Sequence, residues 1–425
     1  MTEVRKRIAI LGAGWAGLAC GVELAIAGVE THVFEAAPQA GGRARRRVWQ
    51  GLAIDNGQHL MLGAYRETRR LIERLGTGGL LERHALDLRL PDFRLRLPRL
   101  PPPLHLTAGL LGAHGIGAAD KLAAARFIQS LKQAGFRLAK DTEVTALLDL
   151  HRQPRTLRRE LWEPLCLAAL NTPASSASAQ VFCNVLRDSL MGERSDSDAL
   201  FARADLGRLF VDPAIAGIEA HGGHVHLNQR IEAIEPAADG IGAKLAGECF
   251  SAVVYAGHPA QLSRIHDASG RLAEVARQIA GYQWQPILTT WLHFDAPVRF
   301  PYPMLGLGPG QAPWAFDRSD LGPGLVALVV SAEGPHLAEA DAVRTRRYLD
   351  MLQSGLGPMP PLRASTTVVE KRATYACVPG MARPGNRLGP GLYLAGDYTE
   401  GPYPATLEGA VRSGVECARW ILRSP

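Results

Sequence analysis

"RIAILGAGWAGLACGVELAIAGVETHVFEAAPQAGGRARRR", residues 7–47, carries the pattern that decides the fold. Ile8 to Leu11 are a short apolar run closed by Gly12, which reads as a buried strand. Gly12-Ala13-Gly14-Trp15-Ala16-Gly17 then matches G-x-G-x-x-G. In such a turn the first glycine permits the sharp bend, the second lets the backbone approach a pyrophosphate, and the third lets the helix pack close to the sheet. A helix is expected from about Ala16 to Ala27, its free N–H groups aimed at phosphates and Gly28 as its stop. A second strand, Thr31 to Phe34, ends at Glu35, 18 residues past Gly17. A carboxylate there accepts hydrogen bonds from ribose hydroxyls and repels a 2′-phosphate. Strand, helix, strand and acid at this spacing predict a nucleotide-binding α/β fold.

Composition bounds the rest. A chain of 425 residues is expected to form two or three domains, and 47% apolar with 21% charged residues is ordinary for a globular protein. No apolar run approaches the ~20 residues that span a bilayer. Arg5, Lys6 and Arg7 before an apolar run imitate a signal peptide, but that run carries the glycine fingerprint and is read as mature structure. The six cysteines (Cys20, Cys166, Cys183, Cys249, Cys377, Cys417) form no CxxC pair, which argues for a reducing cytoplasm and against a metal site or disulfide framework. A net charge of +6 permits attraction to anionic membranes, and no Lys/Arg block has a nucleic-acid footprint.

Two further motifs identify the nucleotide. Gly41-Gly42-Arg43 follows the acid within eight residues, and the far end of the chain reads "GLYLAGDYTEGPYPATLEGAVRSG" (391–414). There Leu392 to Ala395 predict a strand, Gly396-Asp397 end it, and a helix begins near Pro404 with Leu407, Val411, Val415 and Ala418 at helical spacing. Together these resemble the extended fingerprint of FAD proteins in the amine oxidase and phytoene desaturase superfamily. The resemblance implies a glutathione-reductase-type, Rossmann-like FAD domain with an α+β substrate domain inserted. It also implies cofactor contacts at residues 12–17, Glu35, Ala36, Gly41, Gly42, Arg43, Gly57, Gln58, Gly396, Asp397, Pro404, Ala405 and Thr406. Asp397 would serve the ribitol and pyrophosphate region, and the last helix would point its positive end at the flavin. No Cys or His lies in an attachment motif, so FAD is expected to be noncovalent.

The cofactor motifs lie at opposite ends, so the FAD domain must be discontinuous. Strand-like "GGHVHLNQRIEAIEP" (222–236) and "FSAVVYAGHP" (250–259) return to it. The expected FAD domain is 1–80, 206–285 and 370–425. The substrate domain is 81–205, read as mainly helical (near 119–140 and 156–170), with 286–369, where strands "ILTTWLHF" (287–294) and "LVALVV" (325–330) precede a helix near 339–353.

"DNGQHLMLGAY" (55–65), "LWEPLCLAALNTP" (161–173), "WAFDRS" (314–319) and "AGDYTEGPYPATLEGAVRSG" (395–414) narrow the resemblance to the squalene-associated FAD-dependent desaturases, the hydroxysqualene dehydroxylase family of hopanoid-producing bacteria. Its reaction converts hydroxysqualene to squalene, a two-electron reduction in which reduced FAD delivers hydride from N5; the electron donor is not legible. Such chemistry needs a proton donor for the leaving oxygen and a dry cavity for the allylic cation. His59 is the candidate donor, because histidine titrates near ~6.5, or else a packed structural histidine. Gln58 is the candidate partner of the substrate oxygen or flavin edge, and Asp55 anchors the loop or assists. Tyr398, Tyr403 and Thr406 line the flavin pocket or are ordinary packing residues. Asn171 and Thr172 form a substrate-pocket turn or a plain turn before Pro173.

Apolar contacts should dominate binding of a thirty-carbon substrate, at ~0.8 kcal/mol per CH₂ against about 0.5–1.5 kcal/mol for one hydroxyl. So insoluble a molecule must come from a membrane, and a cytoplasmic protein touching the inner face of the plasma membrane is expected. "RLPDFRLRLPRLPPPLHLTAGLLGAHGIGA" (89–118) is the candidate contact; its alternative reading is a strand with Arg94 and Arg96 wet and Leu95 and Leu97 in the core. Rival functions are a carotenoid-type desaturase, a flavin amine oxidase and a noncatalytic FAD-bearing lipid carrier. Against the amine oxidase stand Thr406, where those enzymes often place an aromatic-cage tyrosine, and the absence of lysine near "QWQPILTTW" (283–291) among only six lysines.

Overall fold

The computed structural model describes residues 6–236, 243–245 and 247–424; Arg5, first of the basic residues ahead of the opening strand, lies outside them. Strand Arg7–Leu11 leads through the glycine turn into helix Trp15–Ile26, and strand Glu30–Phe34 comes next. The helix stops where expected. Gly28 adopts φ +81°, and the N–H groups of Gly28 and Val29 bond back to Ala25 and Leu24.

A six-stranded sheet is built around this unit in the order His224–His226, Glu30–Phe34, Arg7–Leu11, Ala252–Tyr255, Leu392–Leu394, Arg387–Gly389. All neighbours are parallel except the last pair. Successive side chains face opposite ways. Ile8, Ile10, Val33 and Val254 pack under helices Trp15–Ile26, Asp212–Ala220 and Leu407–Arg423. Ala9, Leu11, Phe34, Val253, Tyr255 and Leu394 face a second core that runs on into the helical region. A sheet buried on both faces explains the near-continuous apolar runs in these strands.

The first and last helices touch at Gly414. A methyl group there would lie 2.0 Å from the carbonyl oxygen of Ala16, so only glycine lets the backbones meet. The inserted region carries a five-stranded antiparallel sheet ordered Met304–Gly306, Trp314–Asp317, Leu325–Ser331, Trp284–Phe294, Leu362–Tyr375. Its two long strands run across the expected borders at 285/286 and 369/370, tying the two regions together. The stretch 81–205 is less helical than expected. Leu81–His84, Asp87–Leu90, Phe93–Arg96 and Ala199–Ala202 are strands, because the Leu/Arg alternation has a period of two. Helices Ala118–Gln133, Val144–Leu150, Arg155–Leu170 (with an internal π turn) and Ala179–Leu190 fill the remainder.

Gly414→Ala is expected to destabilise the protein by at least ~1–3 kcal/mol, since no side chain can yield at a backbone-to-backbone contact. Urea unfolding checks this, and a change within error of zero contradicts the contact.

Candidate cofactor and active site

Gly12 takes φ +119°, and a methyl group on it would sit 2.7 Å from Ala256 O. Gly17 is still tighter, its methyl position lying 2.0 Å from Gly12 O. Gly14 is different: nothing lies within 4 Å of the place its side chain would occupy, so the turn opens on free space at its middle. No side chain caps the helix that begins there and no acid lies in its first turn. Its leading N–H groups therefore remain for an anion. Ala13 and Ala16 supply small buried backbone positions, whereas the Trp15 side chain turns inward to stack on Phe210 with ring centres 4.3 Å apart. Trp15 thus reaches a ligand only through its N–H.

Glu35 ends its strand with both carboxylate oxygens engaged, Oε2 accepting from Ala13 N and Oε1 from Ala37 N, each at 2.9 Å. Each oxygen keeps a lone pair for a ribose hydroxyl. Ala36 is exposed beside it. Gly41 N donates to Ala13 O at 2.8 Å, and the open face of Gly42 looks onto Gly14 Cα, so the second glycine pair lies on the first turn.

Arg43 joins the two ends of the chain. Its Nη2 lies 2.7 Å from Asp397 Oδ1, and Nη1 donates to Ala373 O at 2.6 Å. Asp397 is 7% exposed. Gly396 donates to Ser413 Oγ at 2.7 Å, and a side chain on it would strike the Tyr398 ring, which is buried with its hydroxyl unpartnered. Pro404 is buried and Ala405 half-buried ahead of Thr406. Thr406 caps the last helix, its Oγ1 accepting from Gly409 N at 3.0 Å. Tyr403 donates to Asp188 at 2.7 Å.

The hairpin Arg46–Trp49 with Leu52–Asp55 turns through Gln50 and Gly51, both at positive φ, and delivers the loop 55–59. That loop bridges the cofactor region and the antiparallel sheet. Asn56 N donates to Arg45 O at 2.8 Å, while its Nδ2 reaches Arg43 O at 3.2 Å and Glu370 Oε2 at 3.1 Å. Gly57 lies against Thr289. Gln58 is buried; Nε2 donates to His59 O at 2.9 Å, and Oε1 has no partner. A buried acceptor left without a donor costs stability unless a ligand supplies one. The open face at Gly14, the uncapped helix and this oxygen fit an extended dinucleotide with a hydrogen-bonding ring.

His59 is half-buried, with its ring turned to the loop's own backbone. Burial pushes its ring down to about 4, the Gly57 carbonyl opposing this and the charges of Arg43 and Arg318 adding to it. Its Nδ1 lies 2.7 Å from Gly57 O, so the neutral ring donates there and keeps a lone pair on Nε2. In that form His59 offers an acceptor at Nε2. Asp55 is an anchor, Oδ1 accepting from Leu206 N at 2.8 Å. Burial lifts its carboxyl to about 7 despite Arg318, whose Nη2 is 3.8 Å away. Asn171 and Thr172 prove structural. Asn171 caps its helix in the left-handed region and bonds Pro286 O, Thr374 and Ala332 N, while Thr172 accepts from Cys377 N.

Three residues escaped the sequence reading. Arg318 is buried, donating to Ala202 O and Ala204 O. Glu408, buried in the first turn of the last helix, accepts from Glu67 N and from Thr68 N and Oγ1 at the start of helix Arg66–Arg74. His258 is pushed down to about 4 by burial and by Arg43. The "WAFDRS" and "LEGA" motifs contained signals for the first two; the third required the fold.

The sequence signature of the family described as flavin containing amine oxidoreductase matches residues 15–422. The chain is similar to a hydroxysqualene dehydroxylase of Sinorhizobium fredii, 30% identical across 97% of each chain. It is equally similar to one of Rhodopseudomonas palustris, 30% identical across 98% of each. A 15-cis-phytoene desaturase of Solanum lycopersicum is 25% identical over 98% of this chain and 77% of that protein. Among solved structures, a redesigned putrescine oxidase superposes with a TM-score of 0.73 at 17% identity, covering 99% of both chains, which shows the shared fold.

Two substitutions test the site. Glu35→Ala frees Ala13 N and Ala37 N as well as the ribose site, so cofactor affinity should fall at least tenfold by fluorescence titration with circular dichroism unchanged; undiminished affinity contradicts the site. For Asp55, a carboxyl raised from an ordinary 3.8 to about 7 adds stability that is full below 3.8 and lost as pH rises through 7. Asp55→Asn cannot ionise, so between pH 4 and 8 it should gain on the wild type by on the order of a few kcal/mol in denaturant titrations. A pH-independent difference contradicts the burial argument.

Proposed function

We propose that this chain, which belongs to the flavin containing amine oxidoreductase family and is an FAD-dependent oxidoreductase, converts hydroxysqualene to squalene. The end-to-end similarity to two proteins named for that reaction carries the reading. The balance is an allylic alcohol plus hydride plus a proton drawn from solvent, giving hydrocarbon and water. When bound, reduced FAD supplies the hydride.

The protein's own residues supply grip, orientation and dryness. The turn 12–17, Glu35, Arg43 and Asp397 hold the cofactor along the sheet edge. Gln58 Oε1 would accept a hydrogen bond from cofactor or substrate, and His59 Nε2 would accept one from the alcohol O–H, which keeps its proton while its C–O bond is oriented. Arg43 and Asp397 neutralise one another there, while Leu11, Phe34 and Tyr255 on the sheet face belong to a continuous apolar core. An allylic cation is protected where water is excluded.

The phytoene desaturase relatives favour a second reading, in which a similar hydrocarbon is oxidised. Anaerobic mixing separates the two. Reduced enzyme should be reoxidised by hydroxysqualene with one squalene formed per flavin. Inert reduced enzyme together with oxidised enzyme bleached by phytoene selects the desaturase, and a flavin indifferent to both selects the lipid carrier. With His59 as acceptor, His59→Ala should lower kcat about 10–100-fold while retaining FAD, and the wild type should show no inflection near pH 6.5 that this substitution removes. Near-normal turnover of the variant, or loss of such an inflection, contradicts the role.

A further inference from the structure

The region 89–126 divides into a structural half and an unexplained one. The hairpin Asp87–Leu90 with Phe93–Arg96 is ordinary architecture: Arg89 and Arg94 both pair with Asp87, while Phe93 and Leu97 are buried. The segment after it is unusual. Pro101 to Pro103 are exposed, and helix Leu104–Leu111, "LHLTAGLL", contains no charged residue.

Its inner face is clear. His105 is 1% exposed, and Gly109 lies so close to the preceding strand that a methyl on it would meet Leu97 Cδ2 at 2.6 Å. Its outer face is Leu104, 56% exposed, Thr107, and Leu111, 68% exposed. Leu100 before the helix and Leu122 on the adjoining helix Ala118–Gln133 are exposed as well. Eleven large apolar side chains are exposed among the described residues, and four lie within 100–122, so this is clustering and not the scatter that any surface carries.

The charge around it selects the occupant. Arg96, Arg99 and Arg126 are exposed and Lys121 half-buried, and none makes an ion pair among the described residues. Lys121 bonds the carbonyl of Leu111, placing a cation at the end of the apolar helix. The opposing acids are Asp92, exposed, and Asp120, which caps Gly117 N. An apolar ridge with a cationic rim matches an anionic bilayer, leucines entering the acyl boundary and arginines staying at the headgroups. Behind the ridge, Leu110, Ile116 and Leu95 pack on the apolar core that continues to Leu11, Phe34 and Tyr398 beside the cofactor motifs.

We infer that the Pro101–Leu111 turn and helix, with Leu122 and its basic rim, is a docking surface for an anionic lipid bilayer. The inference stands on the surface alone and does not depend on the reaction proposed above. The test is co-sedimentation of the full-length, FAD-loaded protein with vesicles of phosphatidylglycerol and phosphatidylcholine mixed, and of phosphatidylcholine alone. The protein should pellet with the mixed vesicles, weaken as salt is raised, and bind phosphatidylcholine at least tenfold less. Leu104→Ser with Leu111→Ser should lower the partition coefficient at least tenfold while flavin absorbance and thermal midpoint stay unchanged. Failure of the wild type to pellet overturns the inference, as does equal pelleting of the double variant. A dimer in solution that the double variant dissolves also overturns it, by assigning the ridge to a second copy. Should the variant misfold, Arg96→Gln with Arg99→Gln, both exposed, must show the same loss on mixed vesicles.

Discussion

The ion pair between Arg43 and Asp397 is the contact on which the site depends. The two residues are 354 positions apart, and the carboxylate is almost wholly buried, so it requires a cation. The surroundings enforce the meeting. Strand Leu392–Leu394 pairs with Ala252–Tyr255, which pairs with Arg7–Leu11, and the helices on either side touch through Gly414. A ligand as long as FAD can be held from both ends only if the chain closes in this way. Glycine at 12, 17 and 414 is then a demand of packing, whereas Gly14 leaves room for something else.

A second consequence concerns the reacting centre. The loop 55–59 is fastened to the cofactor region through Asn56 and to the antiparallel sheet through Glu370, so Gln58 and His59 sit on a rigid junction of the two domains. Both present acceptors, an amide oxygen and an imidazole nitrogen. Acceptors orient hydroxyls and ring N–H groups. The exclusion of water that would spare a cation from capture is also what keeps His59 neutral.

Much of the fold was legible because its signals were local. The turn 12–17, Glu35, the positive φ of Gly28 and the spacing of Val411, Val415 and Ala418 all derive from neighbours in sequence. The strand at 93–96 was readable from its Leu/Arg alternation, whereas Leu81–His84 and Asp87–Leu90 were absorbed into a region whose downstream helical signal dominated. The protonation of His59 was not legible for a different reason: it depends on burial and on cations such as Arg43 and Arg318, which arrive from remote positions. Asn171 and Thr172 left two readings open, a pocket turn or a plain turn, because polar groups among apolar neighbours suit either. Here they satisfy backbone groups where a helix meets a sheet. Buried hydrogen bonding is a tertiary property, and sequence spacing does not report it.

The most direct measure of closure at the cofactor is a double-mutant cycle on FAD affinity with Arg43→Ala, Asp397→Ala and the pair. If the two ends clasp one cofactor through this ion pair, each single change weakens FAD binding and the double change costs about 0.5–3 kcal/mol less than their sum. Strict additivity, or full FAD affinity in either single variant, would contradict the account.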